Sequence, residues 1–350
     1  MSDSEDQRKR PVAPLPSRAP HWFGDGVGKF ALLSPFLVTA GIVWLSWTLY
    51  SIRDFHAFPS DDLRRLITSA SITGSDAPAA AVREYTAHLA WDTLAGLYLV
   101  FLIAALLIGV WIAFRVFATA HRCGLAGGWL WILLLGVLFS AASWYVLRRI
   151  SYGAISGALL SPTVFAQAPG LPGRQQFFSS GGQITALFLA ALSSLLLPSP
   201  GCSDERCLRS RIGLLRLVLE AGTALLVVDV LREDALLRWA VTFVDASNKT
   251  AATTVQGLAS TIVAGRGVLA SVLLAAFYLP AASMLRGQVW NTVPASIATI
   301  PEATQWLQDR GLVAPSAAAQ LRPVIAMLLP LLTGVLSGPA AGVVRNLMGP

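Results

Sequence analysis

Charged side chains are scarce in this 350-residue sequence: Asp, Glu, Lys and Arg make up 13% of it, against about 25% in an ordinary soluble domain. Hydrophobic residues reach 55%, more apolar surface than a soluble chain of this length can hide, so lipid is the expected solvent. Cysteine is equally sparse. Cys123, Cys202 and Cys207 are too few and too unevenly numbered for a secreted disulfide framework. Only Lys9, Lys29 and Lys249 are lysines, so the net charge of +7 rests on arginine. That bias matches GC-rich bacterial genomes and points to a bacterial inner membrane. The positive charges fall mostly in loops and near the ends of apolar stretches, where they suit anionic headgroups rather than nucleic acid, which is not an expected partner.

Catalytic signatures are missing too. There is no Gly-x-Ser-x-Gly elbow, no His-Glu-x-x-His pair and no acidic cluster with metal spacing. Gly24 to Lys29 approaches a phosphate-binding loop, but it is one residue short, Phe30 replaces the hydroxyl, and a membrane helix follows. A hinge with a snorkelling lysine is the simpler reading. No enzyme and no cofactor are expected.

What the chain does contain is long apolar stretches. A membrane helix needs about twenty mainly apolar residues to satisfy its backbone across about 30 Å of hydrocarbon. About seven stretches approach this: Ala31 to Tyr50, Thr93 to Thr119, Trp129 to Leu147, Ile184 to Pro198, Ile212 to Leu231, Gly267 to Leu285 and Pro323 to Val344. The expected fold is therefore an all-α, polytopic membrane protein with six or seven spans. The fourth stretch is short enough to be a thin or re-entrant span, and the seventh holds Pro330 and Pro339. A polar tail, residues 1–29, precedes the first span, which reads as an anchor rather than a cleaved signal. Residues 30–150 form a first three-span unit, 151–181 an irregular Gly- and Pro-rich loop, and 182–350 a second membrane unit. Short helices fill the connections: an extracytoplasmic cap at 53–92 whose second helix opens at Pro78, an interfacial helix from Asp234 to Asp245, and another from Pro301 to Arg310 stopped by Gly311. Arg8, Lys9, Arg10, Arg18 and Lys29 place the N-terminus in the cytoplasm, although the loops as a whole share their basic residues equally between the two sides.

Three constellations are candidates for function. Arg216, Glu220 and Asp229 lie inside the fifth stretch, where each charge costs about 2.5 to 3.5 kcal/mol on insertion scales. Arg216 and Glu220 are four apart and able to pair; Asp229 lies near the outer end, within reach of interfacial water. Gly334, Gly338 and Gly342 recur every fourth residue, with Ser337 and Ala341 beside them, and make a flat strip for a closely packed helix, from another copy or from the same chain. His121, Cys123, Cys202 and Cys207 share the cytoplasmic side and the ligand chemistry of a zinc site, though their spacing is looser than a Cys-x2-Cys knuckle. Together these features favour a non-enzymatic inner-membrane protein that forms homo-oligomers or joins other membrane subunits, with pore formation or bilayer perturbation as its mode. The alternatives are a small-molecule or ion transporter built on the charges of the fifth stretch, and a receptor whose cap senses a ligand.

Overall fold

The computed structural model describes residues 34–35, 37–41, 77–122, 160, 164, 170–197, 205–244, 249–294, 296–297, 299–313 and 317–337. The described residues are overwhelmingly helical: α1 (Ala77–Arg122), α2 (Leu171–Leu195), α3 (Glu205–Val241), α4 (Lys249–Asn291), α5 (Ile300–Asp309) and α6 (Ala317–Ser337). Residues 34–35 and 37–41, from the first apolar stretch, are also helical. The third stretch, 129–147, lies outside the described residues, as do residues 53–76 of the expected cap.

Three helices contain stretches long and apolar enough to cross a membrane, at Ala81–Val116, Lys249–Asn291 and Ala319–Leu336. They contain or overlap the second, sixth and seventh apolar stretches. α3 is not among them, because Arg216, Glu220 and Asp229 interrupt its apolar run.

The helices are longer than the apolar stretches within them. α1 has 46 residues, and α4 has 43, about 69 and 65 Å at 1.5 Å per residue. A helix keeps its internal hydrogen bonds on leaving lipid, so the end of hydropathy does not end it. Two expectations are corrected by this. Residues 77–92 are not a separate cap helix but the first turns of α1, opened by Pro78, whose missing N–H costs nothing there. The segment from Asp234 is not a separate interfacial helix either, since α3 continues unbroken to Val241. Its stripe of Leu236, Leu237, Ala240 and Val244 is buried inside the protein rather than facing headgroups.

A third correction concerns the expected loop at 151–181. Helix α2 already begins at Leu171, with Pro172 in its first turn. The fourth apolar stretch forms its second half, and every residue from Leu189 to Leu197 is buried. A helix apolar all round belongs in a core, and its companions rather than its own length shield it from water. The short helix before the last stretch forms as expected: Thr299 caps α5 by accepting from the Glu302 amide at 3.4 Å. Gly311 closes it with φ +65°. Its amide donates to Gln308 and that of Leu312 to Leu307, at 2.8 and 2.9 Å, a left-handed cap completed by the buried pair Leu307 and Leu312.

α3 is the hub, packing against α1, α2, α4 and α6. Contacts fix the directions. His88 near the start of α1 stacks on Trp239 near the end of α3, and Tyr98 further along α1 meets Arg232 further back on α3, so the two helices run antiparallel. Gly222 of α3 meets Phe277 and Leu274 of α4, while Thr223 reaches Ala326 of α6. The most charged helix therefore stands at the centre. Around it, large apolar side chains point outward: Val100, Ile103, Leu107, Val110 and Phe114 on α1 are 56 to 75% exposed.

Candidate functional site in the charged helix

The polar features of α3 sort into two places. In its first half, Glu220 forms an ion pair at 2.8 Å with Arg322 of α6, both side chains substantially exposed. The expected Arg216 partner on the same helix is thus replaced by an arginine from another element. Arg216 instead lies close enough to Tyr278 of α4 to act on it electrostatically.

Near the other end stands a buried group that sequence reasoning only half found. Asp229 does not turn to water: Arg232, three residues on, donates to its Oδ1 at 2.8 Å. The same guanidinium lies 3.5 Å from Glu233 Oε2. The Arg232 side chain is 1% exposed, Glu233 3% and Asp229 15%. Aromatic rings from two other helices complete the enclosure. The guanidinium carbon sits 5.4 Å from the Tyr98 ring centroid and 5.1 Å from that of Phe178, and Tyr98 donates its hydroxyl to the Phe178 carbonyl at 3.2 Å. A planar cation can stack on rings while its edge bonds carboxylates, which an ammonium does less well. The fifth apolar stretch ends at Leu231, one residue short of this arginine. The available signal was the i, i+3 and i, i+4 spacing of Arg232 and Glu233 from Asp229.

An aromatic and polar ladder extends from this cluster along α1 and α3. Trp91 meets Phe178 edge-on at 6.2 Å and Trp239 at 6.0 Å. His88 stacks on Trp239 at 4.3 Å and lies 3.3 Å from Asp92. Asp234 and Arg238 pair at 2.9 Å one turn apart.

Of the glycine strip, Gly334 is covered by a helix of the same chain. Gly334 meets Gly267 of α4 so closely that a Cβ added to Gly267 would lie 2.6 Å from the Pro330 carbonyl, and one on Gly334 2.8 Å from that of Val263. Gly338 and Gly342 lie outside the described residues. Of the sulfur and nitrogen candidates, Cys207 is a half-buried residue in the first turn of α3. His121 stands in the last turn of α1, and Cys123 and Cys202 are outside the described residues. Among the described residues no three His, Cys, Asp or Glu side chains gather as metal ligands.

Proline gives α6 its polar weakness, and neighbours repair it. Pro330 has no N–H for the Ala326 carbonyl four residues back. The single hydroxyl proton of Thr223 in α3 is shared between its own Leu219 carbonyl at 2.8 Å and that of Ala326 at 3.3 Å. On the other side of the break, Ser271 of α4 accepts from the Leu331 amide at 2.9 Å. Helix breaks in membrane helices are tolerated when adjacent helices satisfy the freed groups in this way. No family model matches the chain, and neither a curated protein nor a solved structure matches it.

Proposed function

We propose that this chain is a non-enzymatic, multi-pass protein of a bacterial inner membrane that acts as a subunit of a larger membrane assembly. The observation that carries the reading is the sidedness of the bundle: charges concentrate on the enclosed helix α3, while α1, α4 and α6 expose leucine, isoleucine, valine and phenylalanine outward. Only a lipid or protein surrounding makes that arrangement favourable. The antiparallel run of α1 and α3 suits helices that cross in opposite senses. One end of the bundle gathers Arg115, Arg209, Arg211, Arg216 and Arg322, which supports placing that end in the cytoplasm.

Support for assembly comes from α1 rather than from the glycine strip. Its residues 81–90 are nowhere buried, and Val82, Tyr85 and Leu89 form an exposed apolar face next to Arg83, Glu84 and His88. That face ends at Leu89, about one turn before the uncharged part of α1 starts at Thr93. Native mass spectrometry after mild detergent extraction tests the proposal. Oligomers or co-purifying membrane subunits that dissociate on Tyr85→Glu are expected; a strict monomer from intact membranes contradicts it.

The buried cluster favours a second reading, ion- or proton-coupled transport, in which Asp229 and Glu233 share Arg232. Here the carboxylate that couples to the ion would be the buried Glu233 rather than the half-exposed Glu220. Glu233→Gln would then abolish a pH-dependent flux in liposomes, whereas Glu220→Gln would leave it.

A further inference from the structure

We infer that the cleft between α4 and α6 is a binding groove for one acyl chain of an anionic phospholipid, whose headgroup is held by Arg286. The inference rests on the membrane reading above. α4 and α6 touch backbone to backbone at Gly267 and Gly334. One to two turns further along, side chains no longer fill the space between them. The result is an open cavity of about 280 Å³ lined by Val268, Ser271, Val272 and Ala275 of α4 and by Val324 and Leu328 among others of α6. The Ser271 hydroxyl in this lining is already engaged by the Leu331 amide, so the groove offers an occupant apolar surface.

The groove continues as a track along α4. Val268, Val272 and Leu279 are 47, 44 and 51% exposed. Arg286 stands five whole turns beyond Val268, on the same face of a helix with about 3.6 residues per turn. The distance from Val272 to Arg286 is about 21 Å along the axis, the scale of an extended fatty acyl chain. Arg286 is exposed and has no ion pair among the described residues. Of the other arginines near this part of α4, Arg322 is turned to Glu220 and Arg216 lies towards Tyr278. An apolar track that ends at an exposed arginine on its own face matches a single-tailed contact with a negatively charged headgroup, and it does so at the basic end of the bundle.

Native mass spectrometry of the detergent-purified chain, titrated with phosphatidylglycerol or with phosphatidylcholine bearing the same acyl chains, tests this. The expected result is tighter binding of phosphatidylglycerol, a loss of about fivefold of that preference in Arg286→Gln, and loss of both lipids' binding in Val272→Trp, which fills the track from an exposed position. Ala275→Phe is the second filling variant should Val272→Trp extract poorly. Equal binding of both headgroups, a preference unchanged by Arg286→Gln, or a second copy of the chain occupying the groove as a dimer overturns the lipid site. Release of the wild-type protein from membranes by alkaline carbonate would instead overturn the membrane reading on which it rests.

Discussion

At the residue scale, Arg232 is the most consequential side chain in the described protein. Burying a guanidinium costs several kcal/mol, and two carboxylates, two rings and their geometry offset that cost. Removing one partner of such a group is worse than removing all of it. Arg232→Met should therefore destabilise the bundle by about 3 to 5 kcal/mol, because the buried carboxylates of Asp229 and Glu233 lose the guanidinium they share. Arg232→Met combined with Asp229→Asn and Glu233→Gln should recover most of that loss. Unfolding in mixed micelles with increasing SDS measures both, and equal instability of the single and triple variants would contradict the account. Trp91, 1% exposed between Phe178 and Trp239, should cost about 3 to 5 kcal/mol on truncation to Ala by leaving a cavity between α1, α2 and α3.

At the element scale, the positions of helices were legible in the sequence and their ends were not. Hydropathy marks where a helix meets lipid, so the stretches Thr93 to Thr119 and Gly267 to Leu285 fall inside α1 and α4. The helices run on to Ala77 and Lys249 because the backbone ladder needs no lipid and no proline stands between the first turn of α1 and Thr93 or between Lys249 and Gly267. The same limit hid half of the polar cluster. A window that closes at Leu231 on apolar grounds excludes Arg232 and Glu233, although they ride on the same helix as Asp229. Gly334 was readable as a close-packing position, but its partner Gly267 stands 67 positions earlier, a pairing that only the fold supplies. Likewise Pro330 announced a break without saying which neighbours would mend it. Thr223→Val and Ser271→Ala should each cost about 1 to 3 kcal/mol by removing the side-chain partner of the Ala326 carbonyl or of the Leu331 amide. In Thr223→Val the loss should shrink when Pro330→Ala restores the internal bond, a coupling that a double-mutant cycle reads directly.

At the scale of the whole molecule, the central claim is that a charged helix runs inside a shell of apolar helices whose outer faces meet lipid. A corollary concerns sidedness: Cys207, at the basic end of α3, should react with a membrane-impermeant maleimide only from the cytoplasmic face in a variant whose Cys123 and Cys202 are serine. The most direct test is depth-resolved spin labelling in liposomes, with single labels at Val100, Ile103, Leu107, Val110 and Phe114 on α1 and at Ile325 and Leu332 on α6, compared with Thr250, Thr254 and Gln256 on α4. Collisions with dissolved oxygen should exceed those with a water-soluble nickel chelate at every α1 and α6 site, and the order should reverse at the three α4 sites. Preferential quenching by the nickel chelate at Leu107, Val110 and Ile325 would place those faces in water and contradict the membrane bundle.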